Sequence, residues 1–397
     1  MSDPILELLS RGTVDVIVRE DLEKKLRSKK KMRIKFGIDP TGSVLHIGHA
    51  VVLRKLRQFQ DLGHTVIFLI GDFTAKIGDP TGRSVQRPSM TDEQIQQNMK
   101  DYIRQAGLVL DMDKVEVRYN SEWLGKLNFK DLIVLSSKVT YAQIAQRADF
   151  KQRIQNDIDL SLQEFLYPIM QGYDSVALES SVELGGTDQK FNLLMGRQIQ
   201  ERYEQEPQNI LTCPILEGLD GVQKMSKSLN NYIALTEAPN DMYGKVMSIP
   251  DALLLRWFEL ATSVSMDEIE KMKKELEAGI NPRDLKMRLG RELVTLYHGV
   301  IEAKAAEENF VKVFSQKEIP DEIPEVKAPK LEMTIVELLR LFPSVSSNSD
   351  ARRLVDGGGV RVNSQVQTDV DAKIKISEGE GLLLQAGKRR FLKVKRG

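Results

Sequence analysis

Three groups of polar residues in this 397-residue chain have the types and spacing to do chemistry. His46-Ile47-Gly48-His49 sets two imidazoles three residues apart, which turns both to one side of a helix start. Gly48 between them removes the side chain that would block a planar base or a phosphate. Lys224-Met225-Ser226-Lys227-Ser228 carries two ammonium groups and two hydroxyls, a set that suits anionic oxygens but taken alone is usually plain surface. Tyr167, Gln171 and Asp174 stand at i, i+4 and i+7 of LSLQEFLYPIMQGYD and share one helical face. On spacing alone that face belongs to solvent, although it could also wall a pocket.

The elements that must position the first group lie in residues 32–70. Ile34, Phe36 and Ile38 alternate with Arg33, Lys35 and Gly37, the period of a strand, before Asp39-Pro40-Thr41-Gly42 forces a turn. From Ala50 the period changes. Val52, Leu53, Leu56 and Phe59 form an apolar stripe, with Arg54, Lys55, Arg57 and Gln58 expected to face outward. Gly63 stops the helix, and Thr65 to Ile70 is apolar enough for a buried parallel strand. In such a βαβ unit a ligand binds beyond the carboxyl ends of the strands, where the helix N-terminus presents unpaired N–H groups. That position holds the two histidines and suits a nucleoside triphosphate. Neither GxxxxGK[ST] nor GxGxxG occurs there, so the phosphates need another scheme.

The rest of the chain reads as helices and short loops. Gly71-Asp72-Phe73-Thr74 and Gly78-Asp79-Pro80-Thr81-Gly82-Arg83 are polar turns after the second strand. Residues 91–175 are mostly helical by period. Val182 to Gly186 is a short strand running into a helix start, for which Thr187 or Asp188 is an ordinary cap. Leu219-Asp220-Gly221 is a turn leading to the lysine-serine string. Residues 231 to about 325 return to helical periods, and Glu318 to Lys330 has the proline and acid content of a linker. The first 30 residues read as two amphipathic helical segments.

Composition sets the outer bounds. With 41% apolar residues, the chain has material for two or three domains. The 57 basic and 57 acidic residues cancel, yet residues 331–397 hold twelve Lys and Arg against eight Asp and Glu, a local excess of four positive charges. One cysteine, Cys213 among apolar neighbours, excludes an intramolecular disulfide framework and a thiolate zinc site, and fits a reducing cytoplasm. The N-terminus lacks the basic start and apolar core of a signal peptide, and no stretch approaches a membrane span.

HIGH near the start of a nucleotide-binding unit, followed by KMSKS on a later loop, is the paired signature of class I aminoacyl-tRNA synthetases, and over essentially its whole length the chain resembles the bacterial tyrosyl-tRNA synthetases. The resemblance implies an α/β fold: a Rossmann-like parallel-sheet catalytic domain with an inserted helical connection (1–228), an α-helical domain for the tRNA anticodon region (229–325), and a linker with a small α+β RNA-binding domain of the ribosomal-protein type (326–397). It implies that His46, His49, Thr41, Lys224 and Lys227 stabilise the charge that grows on the phosphates when a carboxylate attacks ATP. Gly37, Asp39, Gly48, Gly186 and Asp188 fall on positions beside the adenylate, and Arg83 and Arg87 on a loop near the leaving pyrophosphate. Asp79, Tyr167, Gln171 and Gln189 fall on positions around the bound tyrosine, with Asp174 accepting from its hydroxyl. Many members have a second hydroxyl partner, a tyrosine, where this chain has Lys35. A lysine cannot accept the phenolic proton, which leaves Asp174 to carry the recognition.

Further implications are L-tyrosine, ATP with Mg2+ and tRNA(Tyr) as substrates, no tightly bound cofactor or protein metal site, a homodimer formed through the inserted connection, and a cytoplasmic location. Leu132 to Leu135 are candidates for the dimer contact, with ordinary core as the alternative. In the tail, Arg352, Arg353, Lys388, Arg389 and Arg390 are candidate RNA-phosphate contacts. The rivals are a tryptophanyl enzyme of the same fold, an RNA-binding protein that has lost activation, and an unrelated nucleotidyltransferase acting on a small carboxylate. Intact HIGH and KMSKS and the YxxxQxxD acid speak against them.

Overall fold

The computed structural model describes residues 3–28, 30–81, 90–315, 323–345, 347–376, 381–387 and 390–396. The chain forms two compact units, Met1–Ala303 and Lys304–Gly397.

The first unit is built on a six-stranded sheet of order β1-β6-β5-β2-β3-β4. Its strands are β1 (Asp15–Ile17), β2 (Arg33–Ile38), β3 (Thr65–Ile70), β4 (Val115–Tyr119), β5 (Val182–Gly186) and β6 (Asn209–Cys213). All neighbours pair in parallel except β1, which runs antiparallel to β6. Ile34, Phe36, Val66, Ile67, Phe68, Leu184, Ile210 and Leu211 are buried, as continuous apolar strands covered on both faces require. The helices used below are α1 (Pro4–Ser10), α2 (Ile47–Asp61), α3 (Asp92–Ala106), α4 (Leu162–Leu178), α5 (Lys190–Arg202) and α6 (Pro282–His298).

The βαβ unit of β2, α2 and β3 forms where the period of the sequence placed it, and Val52, Leu53, Leu56 and Phe59 are buried. Lys55 departs from expectation. It is buried rather than outward, because its ammonium donates to the Leu8 carbonyl at 2.8 Å and the Arg11 carbonyl at 2.6 Å, where α1 ends and leaves carbonyls without helical partners. Burial pulls its pKa down to about 8.

Three strands of this unit, β1, β4 and β6, escaped the sequence reading. β1 replaces part of an expected helix, three residues being too few to show a period. β4 lies inside the stretch read as mostly helical, and it is a half-buried edge strand whose VEVRY alternation is short. Cys213, as expected, is fully buried, and burial pushes its thiol up to about 12.

The second unit carries a five-stranded sheet of order β10-β9-β12-β13-β7 and a two-stranded one of β8 and β11. These strands are β7 (Glu325–Ala328), β8 (Glu332–Thr334), β9 (Val360–Val362), β10 (Gln365–Val366), β11 (Lys373–Lys375), β12 (Leu382–Ala386) and β13 (Arg390–Arg396). Helices α7 (Ile335–Leu339) and α8 (Asn348–Asp356) pack Leu338, Leu339 and Val355 into a core with Leu384 and Val394. The expected linker is therefore shorter than its composition suggested: Glu325 to Ala328 pair in parallel with Lys393 to Arg396.

Candidate active site

The carboxyl ends of β2, β3 and β5 and the N-terminus of α2 converge on one site. At its α2 side, the His46 backbone N–H donates to His49 Nδ1 at 3.1 Å, so the second imidazole satisfies one of the orphan donors of the helix start. The two rings lie 3.8 Å apart, and His46 Nδ1 is buried with no hydrogen-bond partner. Burial, helped by the nearby Lys227 ammonium, pulls His46 down to about 3, and burial holds His49 well below the ordinary histidine value. Both rings are thus held in the neutral form at pH 7.

The KMSKS loop is docked on this helix start. Met225 is buried, and its sulfur accepts from the Gly48 N–H at 3.3 Å. A Cβ on Gly48 would stand 3.0 Å from the His46 ring and 3.5 Å from Met225, so the residue is needed for close approach. Lys227 donates to the Tyr102 hydroxyl at 2.9 Å and would meet a Cβ on Gly42 at 2.8 Å, which places its charge over the Asp39–Gly42 turn that also holds Thr41. Lys224 reaches Asp188 at 3.4 Å. Behind the loop, buried Asn231 accepts from the Ser226 N–H at 2.8 Å and donates to the Lys224 carbonyl at 3.1 Å. Asp220 accepts from the N–H groups of Val222 and Gln223, both at 2.8 Å, confirming the turn at Leu219–Gly221.

The opposite side of the site is buried and polar. Asp39 accepts from the Tyr167 hydroxyl at 2.8 Å and from the Thr74 hydroxyl at 2.7 Å. Gly71 makes room for it, since a Cβ there would fall 2.0 Å from Asp39 Oδ1. Asp79 accepts from Gln189 at 2.7 Å and from the Thr81 hydroxyl at 2.6 Å, with the buried Arg147 guanidinium 3.5 Å away. Asp174 is 2% exposed and accepts from the Trp123 indole N–H at 2.7 Å and the Asn120 amide at 3.4 Å. Burial drives its pKa up to about 7, opposed by the charge of Lys35 and by the Trp123 and Asn120 hydrogen bonds.

The Tyr167, Gln171 and Asp174 face of α4 is turned inward, and the solvent alternative falls: Tyr167 and Asp174 are buried and Gln171 is half-buried. Lys35 lies beneath that face, fully buried, with its ammonium on Glu183 at 2.8 Å. Gly37, Gly186 and Asp188 sit at the ends of β2 and β5. Sequence reasoning missed Tyr102, Asn120, Trp123, Arg147 and Asn231. Each meets its partner from a segment distant in sequence or by a contact without a motif.

Arg83, Arg87, Lys388 and Arg389 lie outside the described residues. In the second unit, Arg352 and Arg353 are exposed on α8, and Arg353 pairs with Asp350, while Arg390 is half-buried and donates to the Ala386 carbonyl and the Ser344 hydroxyl, both at 3.0 Å. Among the described residues, no group of three or more His, Cys, Asp or Glu could hold a metal ion, and no helix is long and apolar enough to cross a membrane.

The family model for class I tRNA synthetases (W and Y) matches residues 27–315. The tyrosine–tRNA ligase of Thermotoga maritima is 49% identical over 393 residues, which cover 99% of this chain and 97% of that one. The tyrosine–tRNA ligase of Carboxydothermus hydrogenoformans is 50% identical over 399 residues, covering 98% and 97%. Among solved structures, a C-terminally truncated mitochondrial tyrosyl-tRNA synthetase of Coccidioides posadasii aligns with a TM-score of 0.64 at 26% identity, covering 78% of this chain and 92% of that one. The tyrosyl-tRNA synthetase of Archaeoglobus fulgidus, complexed with L-tyrosine, shares the fold with a TM-score of 0.63 at 23% identity, covering 77% and 100%.

Proposed function

Because the chain belongs to the class I tyrosyl-tRNA synthetases, we propose that the two sides of this site divide its reaction between them. The reaction joins ATP and L-tyrosine to give tyrosyl adenylate and pyrophosphate, then passes the tyrosyl group to the 3' terminal adenosine of tRNA(Tyr). The attacking group is the tyrosine carboxylate, already ionised, so no protein nucleophile or general base is required. Catalysis is positioning and charge stabilisation.

On the nucleotide side, neutral His46 and His49 donate N–H groups to phosphate oxygens, Thr41 adds a hydroxyl, and Lys224 and Lys227 bring positive charge on the KMSKS loop as the pyrophosphate leaves. Arg83 and Arg87 are assigned to that leaving group on the family resemblance alone. Magnesium arrives with ATP as part of the substrate. Gly37, Asp39, Gly48, Gly186 and Asp188 border the adenylate, Asp188 accepting from ribose hydroxyls. On the amino-acid side, Asp79, Tyr167, Gln171 and Gln189 surround the α-ammonium group, and Asp174 accepts from the phenol.

The observation that carries this reading is the buried Asp174 carboxylate, held by an indole and an amide at the far end of the pocket wall from the HIGH–KMSKS contact. Phenylalanine would leave that acceptor desolvated and unpaired, and tyrosyl enzymes are themselves the standard example of such rejection. The test is amino-acid-dependent ATP–pyrophosphate exchange with tyrosine, phenylalanine and tryptophan separately. Exchange with tyrosine alone supports the assignment, and exchange with none of them removes it.

A homodimer is supported by an apolar patch in the inserted connection: Phe129 is 78% exposed, Ile133 56%, Val134 45%, Tyr141 67% and Leu162 79%. Of the four residues first singled out, Ile133 and Val134 belong to that patch, whereas Leu135 is core. Residues 1–228 are assigned to catalysis, 229–325 to the anticodon region of the tRNA, and 326–397 to RNA backbone through Arg352, Arg353, Lys388, Arg389 and Arg390. Analytical ultracentrifugation and tRNA charging by a chain ending before residue 326 test these assignments. A cytoplasmic location follows from the role in translation.

A further inference from the structure

Lys35 and Glu183 are charged residues in the middle of two apolar strands, and both are almost entirely buried. They face each other in register across β2 and β5, with the ammonium 2.8 Å from Glu183 Oε1. The pair is tied to the pocket helix. Lys35 donates to the Ser175 hydroxyl at 2.7 Å and to the Gln171 carbonyl at 3.4 Å, and that hydroxyl donates in turn to Glu183 at 3.1 Å. Gln208 donates to the same carboxylate oxygen, so the acid is satisfied from two directions. Gln171 and Ser175 bracket the turn of α4 that carries Asp174. Replacing a buried ion pair by apolar residues of similar volume is often neutral or stabilising, so stability alone does not account for this pair.

Resting on the reading of Asp174 as the hydroxyl acceptor, we propose that Lys35 and Glu183 form an electrostatic support that sets the charge of Asp174, and so determine the preference for tyrosine without touching it. Lys35 is a positioning residue in this sense. The groups that face Asp174 come from every side: Lys35 from β2, Glu183 from β5, Asn120 and Trp123 from the segment after β4, and Tyr167, itself bonded to Asp39, from its own helix. Among the charges, Lys35 favours the ionised carboxylate most, and Glu183 opposes it. A protonated Asp174 would lose the charge-assisted acceptance from the phenol that excludes phenylalanine.

The test is the pH dependence of kcat/KM in pyrophosphate exchange, measured with tyrosine and with phenylalanine, because this parameter reports groups of the free enzyme. Glu183→Gln leaves the lysine unopposed, and its acid limb for tyrosine is expected to move to lower pH. The Lys35→Met/Glu183→Gln double variant removes both charges, and its limb is expected to move to higher pH, with a loss on the order of several-fold at pH 6. Phenylalanine, which leaves the ionised acid unpaired, should show no acid limb to move. Opposite movements of the two variants support the proposal. Equal movement, no movement, or a uniform loss for both amino acids at all pH values overturns it. Where the double variant does not fold, an upward or absent shift in Glu183→Gln is sufficient to overturn it. An Asp174→Asn control separates the levels: a limb that persists in it sinks the role of Asp174, whereas a limb lost there but unmoved in the charge variants sinks this inference alone.

Discussion

The nucleotide side and the amino-acid side of the site are built on opposite plans. The nucleotide side keeps its cations on a loop, with Lys224 exposed, Lys227 half-exposed and Met225 as the buried anchor. The amino-acid side keeps its charges inside, with Asp174, Lys35, Glu183 and Arg147 all buried and bonded. Charge that develops only during reaction is best met by groups that can close on it, and that arrangement raises rate. Choosing between two amino acids that differ by one hydroxyl requires an acceptor already desolvated and fixed, and that arrangement sets specificity. Variants on the two sides should therefore fail in different kinetic parameters.

The largest effect is expected from Lys227→Ala. Removing one preorganised donor to a transition-state oxyanion costs about 10²–10³ in kcat. On the proposed division the KM for tyrosine should hardly change. Single-turnover adenylate formation separates the two parameters, and a change confined to KM would break the division. Asp174→Ala should do the reverse. Loss of a hydrogen bond to a charged acceptor, worth about 1.5–3 kcal/mol, corresponds to roughly 10- to 100-fold in the ratio of kcat/KM for tyrosine over phenylalanine. The pyrophosphate dependence should stay as in the parent chain.

The lesson for reading sequence is visible in the same contrast. HIGH and KMSKS could be recognised because a helix start, a glycine and a turn are local features, and local features survive in a linear string. The acid of the YxxxQxxD face was also visible, but its burial was not, since that depends on Trp123 and Asn120 arriving from the end of β4. β4 itself was missed between helices. Lys35 and Glu183 carried a usable signal that spacing alone did not raise: a charge at the centre of an otherwise apolar strand must find a partner, and the in-register neighbour is the nearest candidate. Lys55 gave no such warning, because on a helix surface a lysine is ordinary.

Acidity sharpens the comparison further. Burial raises Asp174 to about 7, so kcat/KM for tyrosine should fall as pH drops below that value, by up to about tenfold per unit, while that for phenylalanine, which leaves the ionised acid unpaired, should not fall. The sign for stability is the opposite. A carboxyl whose folded pKa lies above its unfolded value stabilises the fold fully only below the ordinary aspartate range, and that contribution is lost as pH rises toward 7. Asp174→Asn should therefore raise Tm at pH 8 and leave it nearly unchanged at pH 4, as differential scanning calorimetry would show. A variant equally stabilised at both values would mean that burial of charge is not what Asp174 costs the fold.

The smallest effect is expected from Trp123→Phe, which keeps an aromatic ring of smaller size and removes the indole N–H that Asp174 accepts at 2.7 Å. Its loss leaves the acceptor in place, so only part of the about 1.5–3 kcal/mol of a hydrogen bond to a charged group reaches the tyrosine preference, which should weaken by less than the roughly 10-fold lower bound for Asp174→Ala. Its direction is more telling than its size. The Trp123 hydrogen bond favours the ionised carboxylate, so its loss should move the acid limb for tyrosine upward, in the same sense as loss of the Lys35–Glu183 pair. Lys227→Ala should leave that limb in place, because its charge bears on the histidines rather than on Asp174. A limb that moved with Lys227 and not with Trp123 would show that the two sides share one electrostatic unit.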